Sequence, residues 1–110
     1  MASSYKILGQ ARPADTNVAT LYTVPAGGQA VVSNLAIANV TTSNKTFDVY
    51  VLTAAGTASE NNAIAFGTTV LSNSTTMLTV GLTLGPGEKL AVKSGTASAV
   101  TFTASGLEIA

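Results

Sequence analysis

The chain alternates. From Val31 to Ile37 every second residue (Val31, Ser33, Leu35, Ile37) faces one way, and Ala30, Val32, Asn34, Ala36 and Ala38 face the other. That is the period of a β-strand. The first face is mostly branched and aliphatic, so it is expected to lie on a core. The second is small, so it can approach another layer or another molecule. The strand is entered from Leu21-Tyr22-Thr23-Val24 through Pro25-Ala26-Gly27-Gly28. Proline has no N–H to give to a ladder and glycine takes positive φ, so the chain turns there.

Similar alternation recurs along the chain. Tyr5 to Gln10 is a short candidate strand, ended by the loop Arg12-Pro13-Ala14-Asp15. Thr46 to Leu52 places Phe47, Val49 and Val51 on one face and Thr46, Asp48, Tyr50 and Leu52 on the other, and it is expected to form a hairpin with the strand before it. Ala54 to Asn62 is the longest loop. Ala63 to Phe66 and Thr69 to Leu71 are strand pieces around Gly67, where a bulge is expected. Ser74 to Leu84 turns Thr76, Leu78, Val80, Leu82 and Leu84 one way. After Gly85-Pro86-Gly87-Glu88, Leu90 and Val92 point inward, and from Val100 the apolar residues fall on even steps until Gly106 shifts the phase. No stretch carries apolar residues at helical spacing. Seven or eight short antiparallel strands make a single all-β sandwich or jelly roll. The division read from the sequence is an N-terminal arm with a short strand, 1–20, and a β-sandwich domain, 21–110. Pro25 to Ser33 and Pro86 to Ser94 echo each other as turn, polar pair and strand, a pattern that two similar β-turns also produce.

Composition sharpens this picture. In 110 residues, 46% are hydrophobic and only 9% charged, with five cations balancing five anions. Soluble domains usually keep about a quarter of their residues charged. A surface with so few charges is poorly protected against association, so it is read as one meant to be covered. Cysteine is absent, so stability rests on packing and hydrogen bonds, which suits a reducing cytosol. The N-terminus does not read as a secretory signal, and no apolar run reaches the roughly 20 residues of a membrane-spanning helix. A soluble protein with no membrane partner is expected.

Candidate chemistry is sparse. Without histidine or cysteine, the commonest general base, metal ligand and thiolate nucleophile are missing together. The carboxylates Asp15, Asp48, Glu60, Glu88 and Glu108 each stand alone in their segments. Gly85 to Lys89 lacks the spacing and the following helix of a phosphate loop. Five dispersed cations make no basic stripe for nucleic acid. The expectation is a protein with no catalytic, cofactor or metal site. Asn39-Val40-Thr41, Asn44-Lys45-Thr46 and Asn73-Ser74-Thr75 fit the glycosylation pattern but read as turn residues. Phe47, Phe66, Phe102 and Tyr22 are assigned to core or edge packing, and Tyr50 and Tyr5 are the aromatics expected at the surface. The expected interface residues are Tyr5, Ile7 and Leu8 in the arm, Tyr50, and Ser59, Glu60 and Asn61 in the long loop.

In Leu21-Tyr22-Thr23-Val24-Pro25-Ala26-Gly27, in Ala30 to Asn39 and in Leu82-Thr83-Leu84-Gly85-Pro86-Gly87-Glu88, the chain resembles small virion structural proteins of tailed bacteriophages, and the resemblance covers most of Leu21 to Ile109. It implies a β-sandwich subunit of a phage particle, assembled in the host cytoplasm and resident in the virion. Within that setting it implies a capsid decoration, or cement, protein: a homotrimer braced on major capsid protein subunits. The alternatives are a tail, baseplate or fibre-associated subunit, or a module that binds a glycan or host surface.

Overall fold

The structure, a computed structural model, describes residues 2–110; the first residue of the expected arm lies outside the described residues. The elements are β1 (Ser3–Ala11), β2 (Ala19–Thr23), β3 (Gln29–Asn39), β4 (Lys45–Leu52), a 3-10 turn (Glu60–Asn62), β5 (Ala63–Val70), β6 (Thr75–Leu84), β7 (Lys89–Ser94) and β8 (Val100–Ile109). Two antiparallel four-stranded sheets form, in the orders β1-β8-β3-β6 and β2-β7-β4-β5. The pairs β1·β8, β2·β7, β3·β6 and β4·β5 are those of one long hairpin rolled up on itself. The 53–62 loop is its tip. Ala2 and Ala110 exchange backbone hydrogen bonds of 3.0 and 2.9 Å at its foot. This is the eight-stranded jelly roll, one of the two architectures the alternation allowed.

The rolled topology corrects the expected β3–β4 hairpin. Only β4 and β5 join as neighbours within a sheet; every other connection crosses between the sheets. The crossing after β3 is fastened by buried Asn39. Its Nδ2 donates to the carbonyls of Ser43 (2.8 Å) and Val70 (3.0 Å), and its Oδ1 accepts from the N–H and hydroxyl of Thr41. The two echoing turns also find a reason here, because the roll sets them side by side. Val24 donates to Glu88 O and Gly87 donates to Val24 O, while Gly27 and Gly87 hold matching φ of 77° and 75°.

The phase of β3 differs from the expected one. Ala30 and Val32 are buried, then Leu35, Ile37 and Asn39. The pairing with β8 passes from Val32↔Gly106 to Asn34↔Ser105, leaving Ser33 as an extra residue, and one extra residue exchanges the faces of a strand. Val31 therefore points outward although Leu35 points inward. Strand β8 runs through without a break: Val100, Phe102, Ala104 and Gly106 are buried, and its neighbours carry the bulges. A Cβ on Gly106 would fall on the carbonyl oxygen of Val31, so the residue opposite the bulge has to be glycine. Leu8 in β1 and the Gly81 region of β6 (φ 94°) interrupt the register at nearby levels, so a line of bulges crosses this sheet.

The core lies between the sheets. Val32, Leu35, Ile37, Val100 and Phe102 meet Phe47, Val49, Leu90 and Val92, all at most 1% exposed. Phe47 and Phe102 contact edge to face across the gap, with centroids 6.2 Å apart at 74°.

Candidate interaction surface

The outer face of the β1-β8-β3-β6 sheet carries an open groove where the line of bulges bends it. Tyr5, Lys6 and Ile7 line it on the β1 side, Ser33 and Asn34 on the β3 side, with Ser105 and Gly106 of β8 between them, around about 440 Å³. Tyr5 pairs with Leu107 and Ile7 with Ser105, so both side chains share the outer face with Leu107 and Val31. Tyr5 is 85% exposed and Ile7 60%. The arm is thus an edge strand of the sheet, with its surface residues where the sequence put them. Leu8 is the exception: as the bulged residue it turns to pack against the core.

Tyr50 overturns its expected exposure and is 4% exposed. The 53–62 loop folds back over the outer face of β4, so Tyr50, Leu52 and Ala91 form a second small core under Ala58 and Ala63. The Tyr50 hydroxyl donates to Asp48 Oδ2 (2.9 Å), and Asp48 Oδ1 accepts the N–H of Gly67, whose φ of 60° marks the expected bulge in β5. Burial, then the hydrogen bond to Asp48, pushes the Tyr50 phenol up to about 12. The loop presents Ser59, Glu60 and Asn61 to solvent, shaped by Ser59 capping the turn and Asn62 Oδ1 accepting the Ser59 N–H. The expected interface residues therefore fall on opposite faces: Tyr5 and Ile7 outside one sheet, Ser59 to Asn61 outside the other.

Two features escaped the sequence reading. Glu108, apparently alone, lies on the inward row of β8 and joins the sheets: its Oε2 accepts the Tyr22 hydroxyl at 2.6 Å and its Oε1 pairs with Lys6 Nζ at 2.7 Å. Lys6, then Tyr22, hold the Glu108 carboxyl below its ordinary range. Burial, then Glu108, pushes the Tyr22 phenol well above its own. No local motif announces this cluster, whose members come from three strands. The second feature is the β5/β6 flank. Phe66, assigned to packing, is 59% exposed there, and Ile64, Leu71 and Met77 of the same two strands and their connection are exposed as well. Its signal was available: residues 61–87 contain no charged residue.

The fold and surface define an all-β jelly-roll domain with one apolar, charge-free flank. No family model and no curated protein matches the chain by sequence. In fold it is similar to a chain in the structure of the infectious bursal disease virus Gx strain, with a TM-score of 0.52 and 14% identity over 97% of this chain. The match spans 31% of that longer chain, and at this identity the likeness is one of fold.

Proposed function

We propose that this chain is a virion structural protein that works by packing: a phage capsid decoration protein that binds major capsid protein subunits and further copies of itself, and catalyses nothing. The observation that carries the reading is the jelly roll itself, whose likeness in fold to a chain from a virus structure extends over 97% of this chain. Fold alone does not fix function. Two properties of the chain add to it. Its scarcity of charge favours coverage by neighbours, and its exposed apolar residues lie on sheet faces and edges that offer broad, shallow contact. Weak contacts of this kind become strong when several copies engage a shell at once, as the trimer implied by the phage resemblance does. The test is to image the parent particle with this chain labelled and to identify it in purified particles by mass spectrometry. Labelling on the head at regular shell positions supports decoration; labelling confined to tail or baseplate moves the protein to the alternative role; absence from the particle overturns the reading.

The groove supports a second reading. An exposed tyrosine beside Ser33, Asn34 and Ser105 joins an apolar platform to hydroxyl and amide partners, which suits the ring and hydroxyls of a glycan, and jelly rolls also serve lectins. A glycan array with the native chain and Tyr5→Ala decides it: binding lost in the variant establishes this reading, and an array without binding removes it.

A further inference from the structure

We propose that the β1-β8-β3-β6 sheet continues from copy to copy, the free edge of β6 in one molecule pairing with the free edge of β1 in a second copy of the same chain, head to tail. The inference stands on the chain's own edges and does not depend on the virion reading. Among the described residues β6 pairs only with β3, and β1 only with β8, so each presents an outer row of backbone N–H and C=O groups. Edges of this kind are usually blunted by charge, proline, bulges or shortness. The other sheet follows that rule: β2 has five residues and a register shift, and β5 is broken twice against β4. The sheet bounded by β1 and β6 follows it poorly. From Thr75 to Val80, β6 has neither charge nor proline, a run of about 20 Å at the rise of a strand.

Direction, position and charge then select the occupant. Each neighbouring pair in this sheet is antiparallel, so β1 and β6 run in opposite senses, and a copy displaced along the sheet brings them together as a further antiparallel pair. Ile7, Ser105, Asn34 and Thr79 occupy one level of the sheet. The same displacement sets Ile7 of the second copy opposite Thr79 and brings the outward Tyr5 and Ile7 to the face that carries Met77. Charge permits the joint: β6 has none, and the one cation of β1, Lys6, is engaged by Glu108 of its own chain. Two different edges meet in such a contact, so it builds a ring or an open row rather than an isolated two-fold pair.

The absence of native cysteine supplies the test. Ile7→Cys, Thr79→Cys and the double variant are oxidised mildly in the folded state and run on non-reducing gels, with circular dichroism to establish that each keeps the β-fold. The double variant is expected to give covalent species from dimer upward, an equal mixture of the single variants is expected to give mixed dimers, and each single variant alone is expected to stay at its own mass. Dimers from Thr79→Cys alone would show β6 pairing with itself and overturn the head-to-tail joint. So would absence of cross-links in the double variant with the unsubstituted chain at 11.0 kDa by light scattering at its highest attainable concentration. The unsubstituted chain gives a second measurement, since Thr79→Lys should return an oligomer to monomer mass, and an unchanged mass overturns the joint as well. A chain that fails these tests yet is found in purified particles loses this inference and keeps the functional reading.

Discussion

The two flanks of the sandwich are built from the same alternating strands and end up as opposites. Where β1 lies over β2, the gap between the sheets is closed by polar contact: Tyr22 reaches Glu108, and Glu108 holds Lys6. Gly9 lets the strands come close, since a Cβ there would fall on the carbonyl oxygen of Leu21. Where β6 and β5 end their sheets, no charge is present, and the inward residues Thr76, Leu78, Val80 and Leu82 are only half-buried. On the first flank the chain's own side chains close the gap between the sheets, whereas on the second that gap is only half-covered and apolar surface is left at its margin. Alternation brings apolar residues to a core, while the side chains at the margin decide whether that margin is closed.

Substitutions in each flank test the contrast, and the core common to both sets the scale. Phe102→Ala removes one of the two rings that bridge the sheets and should cost about 4 kcal/mol in chemical denaturation. Asn39→Ala, at the strand crossing beside β5, strips partners from the Val70 and Ser43 carbonyls and should cost about 3 kcal/mol. If it cost nothing, the crossing would be held by the rest of the loop. On the polar flank, Tyr22→Phe leaves the ring packed and deletes one hydrogen bond, for about 1 kcal/mol.

The charge states of Glu108 on this flank and of Tyr50 under the 53–62 loop carry definite signs. Glu108 titrates below its ordinary 4.5 in the folded chain, so its contribution is present above that value and lost as pH falls through the folded pKa; Glu108→Gln should flatten the acid limb of the stability profile. Tyr50 has its folded pKa raised from 10.0 to about 12, so the stability linked to it is intact below pH 10.0 and is lost as pH rises toward 12, with phenolate absorbance appearing as the fold opens. The smallest effect on folding belongs to Thr79→Lys, within about 0.5 kcal/mol because the position is exposed. The same lysine at Thr20 in β2 should leave both stability and molecular mass unchanged. Equal effects of the two lysines on mass would erase the distinction between the flanks.

Much of the fold was legible because strand alternation leaves a local record. The even-step burial of Val100, Phe102 and Ala104, the inward Leu90 and Val92, and the Gly67 bulge could all be read one segment at a time. Errors arose where a distant element intervened. Ser33 became a bulge because of its neighbour β8, reversing the face of Val31. Tyr50 was covered by a loop that reads locally only as the longest in the chain. Part of the candidate surface was legible too. Tyr5 and Ile7 are exposed as expected, whereas the charge-free run of 61–87 could be read from the sequence and the exposure of Phe66 and Met77 follows once β5 and β6 are known to be edges.

By itself, the sequence determined that this protein is a single alternating all-β domain with turns at its glycines and prolines and very little charge. These are properties of neighbouring residues, set by backbone sterics and by the two-residue period of the pleat. Only the tertiary structure decided which strands pair, which margins stay open, and that Lys6, Tyr22 and Glu108 meet. Those outcomes depend on contacts between residues as much as 108 positions apart, counted from Ala2 to Ala110, and rolling the hairpin is what brings such residues together.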